Sequence, residues 1–179
     1  RRRIPTAPER VLDAPAIVPD FYYNLLHWST QNVIAIALQS AVHTWNSETG
    51  EAQFLLDLEE ESERVGGGGG GLVTSLRWDA HGNILAVGTD RGYTQIWDVA
   101  RGARLRTLRP SYEGGADASA INAAAWAMDG TLSVGYASGL IREHDVRQRT
   151  SETRSLEHAH TAQVCGLNWR GDSALLASG

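Results

Sequence analysis

Lysine is missing from this sequence: all sixteen basic residues among its 179 are arginine. No side chain of the segment therefore offers an amine that could accept a ubiquitin or an acetyl group. The formal net charge is −5 at pH 7, so the composition gives no general case for nucleic-acid binding. The three arginines at positions 1–3 are compatible with a solvated end and with half of a nuclear-import signal.

Several features of exported or membrane proteins are also missing. The chain has a single cysteine, no N-x-[ST] acceptor site and no apolar run long enough to span a bilayer. Its first residues lack the basic, apolar and small-residue pattern of a signal peptide. These absences favour a reducing compartment, the nucleus and cytoplasm, and predict no membrane partner.

Catalytic constellations are equally scarce. Cys165 lies in the alternating apolar segment QVCGLNW, which is typical of a small buried side chain. His158 and His160 form a pair that lacks a third ligand at metal-binding spacing. The glycine run 66–71 is not followed by the Lys-Ser/Thr of a phosphate loop. We therefore expect no catalytic residue, no metal and no cofactor, and interpret the protein as a non-enzymatic binding module.

The sequence instead contains a repeated plan. Four segments each begin with an apolar alternation that closes on a tryptophan, and these tryptophans are 50, 48 and 43 residues apart. They are Trp28, Trp78, Trp126 and Trp169. The repeat units cover about residues 21–58, 72–109, 120–157 and 163–179, separated by Gly-rich or acidic loops at 59–71 and 110–120.

Each full unit shows the signals of a four-stranded antiparallel sheet. A turn such as DAHGN follows the tryptophan, then a buried apolar run such as NILAVGT, a Gly-containing hairpin and two further strands. Such sheets are apolar on both faces and need a neighbour on each side. The period and the dipeptide Trp97–Asp98 resemble WD-repeat β-propellers, so we predict an all-β propeller rather than a β-sandwich.

Residues 1–20 precede the first unit and are rich in proline. Prolines at 5, 8 and 15 remove backbone donors and exclude a helix interior. Between them, the segment RVLDAP reads as a short strand that Pro15 ends. We predict an extended lead-in followed by this strand.

Segments spread over almost the whole chain carry a closer resemblance. RIPTAPERVLDAP, DFYYNLLHWSTQNVIAIAL, VHTWNSETGE, SGLIREHDVR and HTAQVCGLNW resemble the Fizzy and Fizzy-related family, the WD-repeat activators of the anaphase-promoting complex. The resemblance implies the N-terminal half, about three and a half blades, of a seven-bladed WD-repeat β-propeller. In the family, the RVLDAP strand joins the last blade.

The resemblance also implies where peptide ligands bind. The family reads degrons, short peptides that mark cell-cycle proteins for ubiquitination. Asp13 resembles the acid that meets the arginine of a destruction box (Arg-x-x-Leu), Leu12 and Ala52 resemble residues at its leucine pocket, and Pro15 is a further destruction-box position. Asp20 resembles the acid that meets the lysine of a Lys-Glu-Asn box. These five residues are the expected degron-binding positions.

Alternatives remain open for both acids. Asp13 could instead satisfy backbone donors beside Pro15, and Asp20 could cap the turn before Phe21. The chain also departs from the family where Ala52 replaces a larger aliphatic residue, so that Phe54 could refill the pocket. Glu143 stands where the family has a histidine.

The expected function is accordingly that of a substrate-recruiting activator of the anaphase-promoting complex. Its expected partners are subunits of the complex, degron-bearing cell-cycle substrates and spindle-checkpoint proteins, with no nucleic acid or membrane. An alternative is a non-degradative WD-repeat scaffold for another multiprotein complex.

Overall fold

The computed structural model describes residues 4, 6–60, 71–109, 119–148, 152–157 and 159–179. The strands are β1 Leu26–Trp28, β2 Val33–Leu38, β3 Ala41–Asn46, β4 Ala52–Asp57, β5 Val73–Trp78, β6 Ile84–Thr89, β7 Thr94–Asp98, β8 Ala103–Leu108, β9 Ile121–Trp126, β10 Thr131–Tyr136, β11 Ile141–Asp145, β12 Glu152–Leu156, β13 Leu167–Trp169 and β14 Leu176–Ser178. A helical turn at 58–60 follows β4. Within the described residues, no helix is long and apolar enough to span a bilayer.

The strands form three four-stranded antiparallel sheets and one two-stranded sheet, each in sequence order. We number these sheets as units 1 to 4, from β1–β4 to β13–β14. The four tryptophans of the repeat are the last residues of β1, β5, β9 and β13. The all-β WD-repeat fold expected from the sequence is therefore confirmed.

Turn chemistry explains why the strands end where they do. After Trp78, the Asp79 carboxylate accepts hydrogen bonds from the N–H groups of Asn83 and Ile84, at 2.8 and 2.9 Å. The same turn needs a residue in the left-handed region, and Gly82 supplies it with a φ of 75°. The chain therefore reverses tightly into β6, as the segment DAHGN predicts.

Consecutive units stack on one another, and the core lies between them. Three apolar clusters are buried, one between units 1 and 2, one between 2 and 3, and one between 3 and 4. Burying a Leu, Ile or Val side chain in such a cluster contributes about 1.5–3 kcal/mol. Each unit is thus stabilised by its neighbours rather than by a core of its own.

Two equivalent glycines allow the units to approach closely. A Cβ on Gly88 of β6 would lie 2.7 Å from Ile121 Cγ2 and would also meet the Ser75 hydroxyl. In the next unit, a Cβ on Gly135 of β10 would lie 2.6 Å from Val164 Cγ1. Neither position tolerates a side chain without displacing the adjoining unit.

The first twenty residues differ from the sequence-based expectation. The expected strand in RVLDAP is absent: residues 10–14 have no regular structure, and Pro15 begins a turn in which Ala16 has a φ of 62°. A strand forms only against a partner edge, and the resemblance assigns that edge to a last blade that these units do not include. Val11 and Leu12 are consequently 84% and 50% exposed.

The two predicted loops are only partly described. Residues 59 and 60 belong to the helical turn, and 61–70 lie outside the described residues, as does most of the glycine run. Residues 110–118 of the second loop, the arginines at 1–3 and His158 also lie outside them.

Candidate functional site

Unit 1 has one covered face and one open face. Its covered face packs on unit 2 through the buried side chains of Ala35, Ala37 and Val42. Side chains alternate along a strand, and the register places a second set on the opposite face. We call this set the open face of unit 1, defined by Leu26, Trp28, Ile34, Ile36, His43, Trp45, Ala52 and Phe54.

The open face is apolar and accessible. Leu26, Trp28 and Phe54 are 54%, 55% and 56% exposed. The Phe54 ring packs edge-on against His43, with ring centroids 5.6 Å apart. Such a contiguous apolar surface is typical of a site that binds another protein element.

The N-terminal segment reaches this surface at one edge. The guanidinium carbon of Arg10 lies 5.6 Å from the centroid of the Trp45 ring, a cation–π contact. Trp45 is the direct cross-strand partner of Ala52. The segment that carries Leu12, Asp13 and Pro15 therefore borders the strand pair that carries Ala52.

The predicted residues of this segment are accessible. Leu12, Asp13 and Pro15 are all exposed. The Asp13 carboxylate makes no hydrogen bond or ion pair with any residue in the described part of the chain, so no capping bond beside Pro15 accounts for it. As far as the described residues are concerned, both of its oxygens are therefore available to a ligand.

Ala52 and Phe54 occupy the same face of β4. Ala52 is exposed at the start of the strand, and Phe54 lies two residues further along. Ala52 is the cross-strand partner of Trp45, and Phe54 is the partner of His43, against which its ring packs. The surface around Ala52 is therefore largely aromatic.

Asp20 has a different environment from Asp13. Its Oδ1 accepts a hydrogen bond of 2.8 Å from the N–H of Tyr22, which caps the turn before the first strand. This is the local role that the sequence left as an alternative. The Oδ2 atom makes no hydrogen bond to a described residue, so the carboxylate retains one open acceptor.

An apolar groove, separate from the open face of unit 1, lies between units 2 and 3. It has a volume of about 640 Å³ and is lined mainly by apolar side chains, including Ile84, Leu105, Trp126 and Met128. Leu105 and Met128 are 54% and 61% exposed. Sequence reasoning did not identify this groove, because its walls come from strands of two different units.

The residues considered for catalysis or metal binding have ordinary environments. Cys165 is half-buried just before β13, and its thiol lies 3.5 Å from the carbonyl of Gln163. His160 Nε2 lies 2.8 Å from the Ser178 hydroxyl. No group of three His, Cys, Asp or Glu side chains in the described part of the chain could hold a metal ion.

Two histidines, the half-buried His27 and the buried His144, have lowered pKa values. Burial, together with the charge of Arg77, lowers the pKa of His27 to about 4. Burial, with the charges of Arg142 and Arg106, lowers the pKa of His144 to about 4. The alternation of β1 and β11 could have placed both residues at a unit interface, but it could not have shown which cations face them.

Several known proteins are similar to this chain along its whole length. Residues 62–114 match the family described as "Anaphase-promoting complex subunit 4 WD40 domain". The chain is 44% identical over 99% of its length to "Anaphase-promoting complex subunit cdc20" of Dictyostelium discoideum. It is 37% identical over 99% of its length to "APC/C activator protein CDC20" of Saccharomyces cerevisiae.

A third relative and a solved structure are also similar to the chain over its full length. The chain is 38% identical over its full length to "WD repeat-containing protein slp1" of Schizosaccharomyces pombe. It superimposes over its full length on a chain of "Crystal Structure of Mitotic Checkpoint Complex", with a TM-score of 0.86 and 38% identity. The chain spans 32%, 26% and 33% of these three relatives and 50% of the solved chain.

Proposed function

Because this chain belongs to the Fizzy family of WD-repeat activators, as its similarity to the Cdc20 proteins shows, we propose that it reads degrons for the anaphase-promoting complex. In this role it contributes the first units of a β-propeller that recruits cell-cycle proteins for ubiquitination. The chemistry of recruitment is binding, and the protein itself is proposed to be non-catalytic.

One observation carries this proposal. Arg10 of the N-terminal segment packs on Trp45, the direct partner of Ala52, at the edge of the open face of unit 1. This contact supports a shared surface, because it holds the segment that carries Leu12, Asp13 and Pro15 beside the strand that carries Ala52, which is distant from that segment in sequence. That surface is where the family resemblance locates the groove for a destruction box.

The groove has suitable chemistry for Arg-x-x-Leu. The exposed Asp13 carboxylate can accept two parallel hydrogen bonds from a guanidinium, worth about 1.5–3 kcal/mol. A leucine that buries itself beside Ala52 and Phe54 adds about 1.5–3 kcal/mol. Ordering a flexible peptide offsets much of this, so the expected affinity is only micromolar and recruitment requires several weak contacts.

The Lys-Glu-Asn site is proposed at Asp20. One of its carboxylate oxygens holds the turn before Tyr22, and the other stays available to an ammonium group. The same residue can therefore cap the turn and bind a ligand, so its two candidate roles are compatible.

The expected partners follow from the relatives. We propose that the complete protein binds subunits of the anaphase-promoting complex and, given its likeness to a chain of the Mitotic Checkpoint Complex structure, spindle-checkpoint proteins. Nuclear and cytoplasmic localisation, and the absence of nucleic-acid and membrane partners, stay predictions from composition. The competing function is a scaffold that presents the same open face to a protein without a degron.

A peptide titration distinguishes these functions. A destruction-box peptide is titrated into the complete protein, into Asp13→Ala and into the control Glu9→Gln, which changes an exposed acid of the same segment. We expect Asp13→Ala to weaken binding several-fold, since it removes a charge-assisted pair, and Glu9→Gln to bind normally.

A second peptide, in which the degron arginine is alanine, completes the test. It should bind weakly to the wild-type protein and lose no further affinity in Asp13→Ala, because both changes remove the same pair. Equal affinity of the wild type and Asp13→Ala for the native peptide would refute the assignment of Asp13. No binding of any degron peptide to the wild type would favour the scaffold.

A further inference from the structure

A cavity of about 230 Å³ lies at the tryptophan ends of β1, β5 and β9, and it shares Trp28 with the open face of unit 1. Its walls come from units 1, 2 and 3: His27 and Trp28 from β1, Arg77 and Trp78 from β5, and Trp126 from β9. The turn residues Ser29, Thr30, Asp79 and Ala80 complete it. The expected degron residues take no part in this cavity.

Arg77 brings a half-buried positive charge to the cavity. Its guanidinium donates one hydrogen bond, of 3.0 Å, to Oδ1 of Asn168 in unit 4. No carboxylate in the described part of the chain forms an ion pair with it. Partial burial lowers the pKa of Arg77, because loss of water disfavours the charged guanidinium.

His27 supplies a second hydrogen-bond donor. Its Nδ1 accepts a hydrogen bond of 3.1 Å from the N–H of Trp78. In the neutral ring the proton is therefore on Nε2, which can donate. The nearby charge of Arg77 and the burial of the ring disfavour a second proton, so His27 adds a donor without adding charge at neutral pH.

We propose that this cavity binds a single carboxylate of an acidic peptide partner. Arg77 and the Nε2–H of His27 donate to the carboxylate, and the indoles of Trp78 and Trp126 pack on the aliphatic part that carries it. Charge selects this ligand over a phosphate group. One guanidinium balances one negative charge, whereas a phosphate carries close to two, and Asp79 in the same cavity repels the more highly charged anion more strongly.

The test uses the complete protein with ¹⁵N-labelled tryptophan, so that the indole signals of Trp78 and Trp126 report on the cavity. Four probes are titrated: Ac-Gly-Glu-Gly-NH₂, its glutamine analogue, Ac-Gly-Gly-Gly-OH and inorganic phosphate. We expect the two carboxylate peptides to shift both indole signals with weak, roughly millimolar affinity, and the glutamine peptide not to do so. The first and third probes separate an acidic side chain from a chain terminus as the source of the carboxylate.

Variants connect the binding to Arg77. Arg77→Gln should weaken carboxylate binding by about tenfold or more, because it removes the charge and the planar fork. The control Arg101→Gln, whose side chain is 78% exposed in a turn of the same unit, should bind as the wild type does. If Arg77→Gln does not fold, Arg77→Lys provides the test instead. This variant keeps the positive charge but loses the planar guanidinium, so it should bind the carboxylate several-fold more weakly.

Three results would overturn the proposal. One is the absence of indole shifts with either carboxylate peptide, as expected if a residue elsewhere in the complete protein already pairs with Arg77. Another is unchanged affinity in the folded Arg77 variant. The third is binding of phosphate more tightly than of either carboxylate.

Discussion

The indole Nε1–H of Trp126 donates a hydrogen bond of 3.1 Å to the backbone carbonyl of Arg77 in the preceding unit. The same relationship joins units 1 and 2, where the indole of Trp78 donates to the carbonyl of His27, also at 3.1 Å. In each pair the acceptor residue immediately precedes the tryptophan of its own unit. The repeated tryptophan therefore anchors each unit to the one before it, and does more than fill the core.

Replacing Trp126 by phenylalanine should destabilise the protein by about 1–2 kcal/mol, because the carbonyl of Arg77 loses a hydrogen bond in a half-buried setting. Urea unfolding followed by circular dichroism measures the change. Trp28→Phe is the matched control, since the Trp28 indole N–H has no partner among the described residues. Equal losses in the two variants would show that the hydrogen bond contributes nothing.

Gly88→Ala should destabilise the protein by about 1–3 kcal/mol, because the added methyl group would lie 2.7 Å from Ile121 across the interface between units 2 and 3. The melting temperature, followed by calorimetry, should fall by several degrees. The control is Gly171→Ala, where an added Cβ has no atom within 4 Å. A Gly88→Ala protein as stable as this control would mean that the interface is not closely packed.

Stability should decrease as the pH falls from about 6.5 to about 4. His144 has a pKa of about 4 when folded and an ordinary value of 6.5 when unfolded, so the unfolded state binds more protons in this range. Its contribution is complete above pH 6.5 and is lost progressively down to pH 4, by up to about 3 kcal/mol. His27 adds a smaller loss in the same direction, since its ring is more exposed to solvent screening.

Chemical unfolding at several pH values tests this expectation. His144→Gln should flatten the pH dependence, whereas the exposed His81→Gln should leave it unchanged. Asp145 responds only at lower pH. Hydrogen bonds from Arg147 and Gln148 hold its pKa well below 3.8, so its stabilising contribution is lost only in stronger acid. A wild-type protein with constant stability between pH 6.5 and 4 would contradict the buried-histidine account.

Asp20→Asn separates the two roles of Asp20. The asparagine Oδ1 can still accept the hydrogen bond from Tyr22, so the melting temperature should stay within about one degree of the wild type. Binding of a Lys-Glu-Asn peptide should nevertheless weaken several-fold, because the negative charge is lost. If Asp20→Asn binds the peptide normally, Asp20 only caps the turn and does not bind the Lys-Glu-Asn box.

Local sequence signals predicted the units themselves well. Trp78 and Trp126 end their strands, and Gly82 and Gly130 have positive φ, because these choices depend on neighbours within a few residues. The pattern of RVLDAP predicts a strand, and the segment does not form one here, because a strand depends on a partner edge that can be distant in sequence. Pattern alone carries no information about that edge.

The candidate sites likewise combine features that the sequence predicts with contacts that only the fold reveals. Family resemblance pointed to Leu12, Asp13 and Ala52, but the contact of Arg10 with Trp45 depends on how the segment folds back on unit 1. The cavity beside Arg77 is lined by three units, and the Arg77 side chain also reaches Asn168 in the fourth. The periodicity within one unit predicts on which face of the sheet a side chain lies. The residues that it contacts there depend on how the neighbouring units pack.

Asn24 has a further consequence for how the four units unfold. Its side-chain amide donates to the carbonyl of Asn122 in unit 3 at 2.8 Å and to the carbonyl of Cys165, just before β13, at 3.3 Å. A stack of repeats coupled only between neighbours can lose its terminal unit first. Here, detaching unit 1 also breaks hydrogen bonds to unit 3 and to the segment that leads into unit 4. Unfolding of unit 1 is therefore coupled to the units at the other end of the chain. We expect the four units to unfold together as one cooperative block rather than one at a time.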